Sequence, residues 1–269
     1  MAVIALASAR GAPGVTTTAL AMALSWPRPV LLLEADVSGG SAILAGYLRG
    51  STRHDTGLVD LAAAHRAGTL ADGLRDASIP LPNSSVRLVP GLTWPTQAVN
   101  LQPVWEPLAA ALHGLERIGA DVIVDAGRLG TVHGPAPLLR HADAVLLLTR
   151  TTLPAVAAAR ARLKVLRDDL ANEGTGEDAL ALLLVGEGQP YNAREIRDHL
   201  GAPVTAAVAW DPVHAEVFSI GAAAGRHFQD SSLVRSIRAV NAAVQGLVAT
   251  RRARLAPSSA VEEGDPSHV

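Results

Sequence analysis

Short, unbroken apolar runs alternate along this chain with longer segments in which apolar residues recur at helical spacing. The short runs fall at 3–9 (VIALASA), 30–35 (VLLLEA), 86–90 (VRLVP), 121–126 (DVIVDA), 144–150 (AVLLLTR), 180–186 (LALLLVG) and 204–210 (VTAAVAW). Strands apolar on both sides need cover on both faces, which parallel sheets obtain from crossover helices. Helical spacing occupies 15–25, 57–65, 101–118, 153–171, 192–200, 212–224 and 231–252, and several of these segments are followed by Gly or Pro. The pattern predicts one α/β domain over residues 1–254: a doubly wound, mostly parallel sheet of about seven strands with helices on both faces. The stretch 78–100 carries Pro80, Pro82, Pro90 and Pro95 and reads as loop around a single strand. The tail at 255–269 has no apolar period and is expected to be disordered.

Composition narrows the classes of function. With 269 residues, 49% of them hydrophobic, the chain can bury a large core. A net charge of -2 supplies no global basic field for nucleic acid. The absence of cysteine excludes disulfides, thiolate metal sites and a cysteine nucleophile. No basic segment precedes the first apolar run, and no run reaches membrane-spanning length, so a soluble, cytoplasmic protein is expected. There is no Gly-x-Ser-x-Gly elbow to support serine hydrolysis. His133 and His141 lack a metal-ligand partner set and read as solvent-facing. Trp94, Trp105 and Trp210 fall in different elements and read as packing residues, not as a stacking platform.

The candidate chemistry starts at residues 7–24, ASARGAPGVTTTALAMAL, where a buried strand passes through a glycine-containing turn into a helix. Such a turn aims backbone N–H groups and the positive end of a helix dipole at one point, a setting for an anion. Gly11 and Gly14 permit the turn, while Thr16 and Thr17 open the helix, where a hydroxyl can cap it or ligate Mg²⁺. A plain tight connection explains two glycines equally well. Two further strands end in carboxylates, Asp36 and Asp125, and ligands in open α/β sheets sit at the carboxyl ends of strands. Loop, Asp36 and Asp125 are therefore expected to converge on one crevice.

In these elements the chain resembles the MinD/ParA group of P-loop ATPases, the deviant Walker A group. The group's loop, K-G-G-x-G-K-T-T, is matched by R-G-A-P-G-V-T-T from Arg10 to Thr17, its D-x-D strand end by EAD ending in Asp36, and its Walker B aspartate by Asp125. The VRLVPG segment and the order of the later elements extend the resemblance over roughly residues 1–250. It implies ATP or ADP with Mg²⁺ as cofactor, Arg10, Gly11, Gly14, Thr16 and Thr17 as the phosphate cradle, Thr16 and Asp125 as the metal side, and Asp36 as the carboxylate that positions water. It also implies a homodimer and a protein partner. Arg10 stands where the group's signature lysine reaches the partner's nucleotide; as an exposed loop arginine it has an equally ordinary explanation.

The departures from the pattern are specific. Val15 replaces the lysine that bonds the β- and γ-phosphates, and a hydrogen bond to a charged group is worth about 1.5–3 kcal/mol, so ATP binding is expected to be weaker by about tenfold to a hundredfold. Pro13 removes an amide donor. Gly186 and Glu187 stand where the group places an asparagine for adenine, which weakens purine selectivity. In the last helix Leu233, Ile237, Val240, Val244 and Leu247 share an apolar face, with Arg235, Arg238, Arg251, Arg252 and Arg254 off it. That basic edge reads as a solvated rim, or as a weak contact with DNA or an anionic membrane. Three functions stay open: a positioning, partition or assembly factor with weakened or lost hydrolysis, a working ATPase using Arg10, and a nucleotide-independent scaffold for polar localisation of a pilus or secretion system.

Overall fold

The computed structural model describes residues 2–10, 13–115 and 119–255. Seven strands form where the unbroken apolar runs lie: β1 (Val3–Ser8), β2 (Val30–Glu34), β4 (Val86–Val89), β5 (Asp121–Arg128), β6 (Ala144–Arg150), β7 (Leu180–Val185) and β8 (Val204–Val208). An eighth, β3 (Ile79–Pro80), pairs antiparallel with β4 at the sheet edge. Two residues ending in a proline give no readable period, so this strand escapes a pattern reading. The order is β3-β4-β2-β5-β1-β6-β7-β8, and every pairing except β3 with β4 is parallel.

Helices cover both faces. On one lie α1 (Val15–Leu24), α8 (Pro212–Ser219), α9 (Ser232–Leu255) and a π-helical turn, Ile43–Tyr47. On the other lie α2 (Leu58–Arg66), α3 (Leu70–Asp76), α4 (Trp105–His113), α5 (Ala136–Arg140), α6 (Leu153–Glu173) and α7 (Ala193–Leu200). The central strands β1 and β6 are apolar on both faces because each face feeds a separate core cluster. α7 starts where expected because Asn192 accepts from the Glu195 amide at 3.0 Å while Glu195 accepts from the Asn192 amide at 2.8 Å.

Two helical expectations are corrected, and two short helices are added. Residues 95–101 form a 3₁₀ helix and α4 begins only at Trp105, beyond Pro103, which cannot donate to a preceding turn; residues 116–118 lie outside the described residues. α8 stops at Ser219, because Gly221 takes a left-handed φ of 66°. The short helices α3 and α5 were not expected: one contains Gly73, and the other follows Pro135 and carries Pro137 in its first turn. The tail expected to be disordered falls outside the described residues except for Leu255, which ends α9. Among the described residues no helix is long and apolar enough to cross a membrane.

Candidate functional site

The crevice lies at the carboxyl ends of β1, β2 and β5, where the chain enters α1. Gly11 lies outside the described residues. Gly14, at φ 91° and ψ 41°, makes the left-handed step into α1, and no side chain caps the helix there. The first amides of a helix have no acceptor within it, so this end offers donors to an anion. Thr16 donates its hydroxyl to Asp125 Oδ2 at 2.5 Å. Thr17 is half-buried beside it. Val15 is 7% exposed and packs into the apolar cluster between α1 and the sheet.

The carboxylate side is denser than expected. Glu34 and Asp125 are register partners on β2 and β5, and both are buried. Asp125 accepts from Thr16 and, through Oδ1, from the Gly127 amide at 3.0 Å. Burial, together with the neighbouring Glu34 and Asp36 carboxylates, pushes its carboxyl up to about 7 against the pull of those hydrogen bonds. Burial also raises Glu34, which accepts from the Ser41 hydroxyl and from the Ile43 and Gly91 amides, each at 3.2 Å. Asp36 is half-buried, with Oδ1 accepting from the Ser38 amide at 2.9 Å. Its carboxylate lies against Gly127: a methyl group there would sit 2.3 Å from Asp36 Cγ, and Gly127 itself has φ +62°. The structure thus brings Thr16, Asp36 and Asp125 together, as expected from strand ends alone. Glu34 and Gly127 belong to the same cluster and were missed, because their roles depend on contacts distant in sequence.

The other side of the crevice is cationic and less tightly tied. Arg10 is exposed, and no hydrogen bond or ion pair holds it to another described residue. With Pro13, Thr149, Arg150 and Thr152 it lines a cleft of about 290 Å³. Arg150 was not anticipated. Its guanidinium stacks on Trp210 at 3.6 Å from the ring centroid, while its Nε is buried without a hydrogen-bond acceptor. Gly186 faces Trp210 closely: an added Cβ would meet Trp210 Cβ at 3.2 Å. Thr151 ties this corner together by donating to the Gly186 and Gln189 carbonyls at 2.7 and 2.9 Å.

Several other residues differ from their expected surroundings. Trp105 is a packing residue, 1% exposed, but Trp94 and Trp210 are 65% and 44% exposed, so these two are not core side chains. His133 and His141 are half-buried and make ordinary contacts, His141 with Glu106 at 2.5 Å and His133 with Gln102 at 3.1 Å. Arg251 does not belong to a solvated edge: it is 5% exposed, with Nε donating to Asp178 Oδ1 at 3.0 Å and Nη1 to the Asp143 carbonyl at 3.1 Å. The buried stripe of α9 runs Val240, Val244, Val248 and then Arg251, continuing at helical spacing. Arg252 is paired with Asp143 at 3.0 Å.

The donor set fits a hard cation better than it fits a phosphate chain. A buried carboxyl beside two other carboxylates, with a threonine hydroxyl in contact, is a set of hard oxygen donors. Among the described residues no group of three or more His, Cys, Asp or Glu is arranged as a metal centre. Mg²⁺ commonly takes only one or two protein oxygens and completes its shell with water and phosphate, which Thr16 and Asp125 suit. For the phosphates, Thr16, Thr17 and the start of α1 offer donors, while Val15 contributes neither charge nor hydrogen bond.

No protein-family profile and no curated protein sequence matches the chain. Solved structures do match its fold. The septum site-determining protein MinD from Pyrococcus horikoshii, complexed with Mg-ADP, superposes with a TM-score of 0.69 at 18% identity, covering 93% of this chain and 98% of that one. A ParA family ATPase from Chlorobium tepidum gives 0.66 at 18% identity over 90% and 98%. The MinC:MinD cell division protein complex of Aquifex aeolicus gives 0.67 at 14% identity over 91% and 96%. The chain therefore has the P-loop NTPase fold of MinD and ParA proteins.

Proposed function

We propose that this protein is a MinD/ParA-like positioning, partition or assembly factor in which ATP hydrolysis is weakened or lost, and which acts through dimerisation and a protein partner. The observation that carries the reading is the joining of Thr16, Asp125 and Asp36 at the mouth of a strand-to-helix loop whose lysine position holds a buried valine. Thr16 and Asp125 would hold Mg²⁺, which when bound supplies charge to a phosphate group beside it. Asp36 would orient water, and Gly14 with the amides of α1 would receive phosphate oxygens. Without a cation at residue 15, charge developing on a transferring phosphoryl group goes unstabilised, so binding outlasts turnover. The Mg-ADP carried by the Pyrococcus MinD and the MinC bound to the Aquifex protein support the choice of ligand and the mode of action. The protein would work in the cytoplasm, recruited to membrane or nucleoid by its partner.

Arg150 and Trp210 favour a second reading, a nucleotide-independent scaffold. Their stack stands beside Gly186, where the resemblance implies the adenine contact, and Trp210 presses on that residue. Equilibrium binding of ATP and ADP with and without Mg²⁺, combined with a turnover assay, separates the readings. Mg²⁺-dependent binding with turnover at background supports the first, turnover at the rate of ordinary family members refutes it, and no binding at all leaves the scaffold.

A further inference from the structure

Between the loop after β5 and the helices α5 and α6 lies a cavity of about 280 Å³ that no part of the preceding reading uses. Its walls include apolar Ala126, Leu139 and Leu166, and it also carries Arg128, Arg140 and Arg162 with a single carboxylate, Asp169. Arg140 and Asp169 are already engaged with each other: the guanidinium Nε lies 3.0 Å from both carboxylate oxygens, and Arg140 Nη1 also reaches Glu173 at 2.7 Å. The side chains of Arg128 and Arg162 are exposed and make no ion pair or hydrogen bond among the described residues. The Arg162 guanidinium lies on Gly130, where an added Cβ would stand 2.5 Å from Nη1, 2.8 Å from Cζ and 2.9 Å from Nη2. The absence of a side chain at Gly130, which has φ +76°, is what lets the guanidinium settle there.

Both guanidinium groups border the cavity with donors that no described residue accepts, and an oxyanion reaching both would match those donors. We propose that this cavity binds a small amphipathic oxyanion, its phosphate or carboxylate group held by Arg128 and Arg162 and its apolar body resting against Val165, over the buried Leu139 and Leu166. The volume is at the small end of ligand pockets, so the body is one ring or a short chain. This site is separate from the phosphate loop. Ala126 and Asp125 are successive residues of β5 and point to opposite faces, Ala126 into the α2–α7 side and Asp125 towards α1.

Titration calorimetry on the full chain with phenyl phosphate, benzoate and inorganic phosphate tests the proposal. Saturable one-to-one binding of phenyl phosphate or benzoate is expected, tighter than that of inorganic phosphate. It should weaken about tenfold or more in Arg162→Gln and in Arg128→Gln, with melting temperatures unchanged, and stay intact in Thr16→Val. Absence of saturable binding, or binding unaltered in the double Arg128→Gln, Arg162→Gln variant, overturns it. Loss of binding in Thr16→Val also overturns it, by placing the anion at the loop; because that loop is probed separately, the failure of this site and the failure of the nucleotide reading are distinguishable.

Discussion

The two sides of the crevice treat charge in opposite ways. On the β2–β5 side, Glu34, Asp36 and Asp125 lie close together, held by Thr16, Ser41 and backbone amides, with no ion pair to a cationic side chain among the described residues. On the β1–β6 side, Arg10 and Arg150 carry positive charge with no carboxylate partner among the described residues, and Val15 is buried and neutral. In the proposed reading the negative side would collect a metal and the positive side phosphate, so the difference teaches which donors each half offers. The first offers a hydroxyl and carboxylates, and the second offers backbone amides and Arg10, with a buried valine at residue 15.

The largest effect that would break this contrast is in turnover. ATP hydrolysis at or near background is expected for the natural chain, and a phosphate-release assay showing family-like rates abolished by Asp36→Ala would erase the distinction. The metal half is sharpened by Thr16→Val, which removes the hydroxyl bonded to Asp125. Mg²⁺-dependent ATP affinity should fall by about tenfold to a hundredfold while Mg²⁺-free binding stays constant, as read by equilibrium titration.

Stability reports on the crowding of carboxylates. Asp125 titrates near 7 when folded instead of in the usual carboxylate range, so between about pH 4 and pH 7 the folded state holds a proton that the unfolded state releases. Folding free energy is then highest at the acidic end of that window and is lost as pH rises through 7, by about a few kcal/mol at most. Denaturant unfolding at pH 5 and pH 7.5 should show that slope, and Asp125→Asn should flatten it. Gly127→Ala is expected to cost about 1–3 kcal/mol, seen as a lower melting temperature, because the new methyl meets Asp36 and the residue has positive φ. The smallest effect concerns nucleic acid. Any DNA binding is expected to be weak and sequence-independent, and neutralising Arg252 and Arg254 should at most flatten its salt dependence, which fluorescence anisotropy would measure.

How much of this was legible in the sequence follows from the range of the interactions involved. The seven main strands were readable because burial on both faces writes an unbroken apolar run, whereas β3 is set by pairing with β4 alone. Asp36, Asp125 and Thr16 were readable as strand-end and helix-start residues of a parallel sheet. Glu34 was not, since its place is defined by Ser41, Ile43 and Gly91, the last 57 residues away. Arg251 lay on a periodic stripe, but its charge concealed it. Asp178, 73 residues earlier, together with the Asp143 and Thr175 carbonyls, makes its burial tolerable.

That buried arginine also fixes the protein's outward geometry. The last turn of α9 is fastened to Asp143 and Asp178, just before the first residues of β6 and β7, so Leu255 sits near the pole of the sheet opposite the strand ends that form the crevice. Leu255, the last described residue, therefore lies on the far side of the sheet, separated from the crevice by the length of a strand. A probe attached at Leu255 starts its path from that far pole and not from the mouth of the crevice.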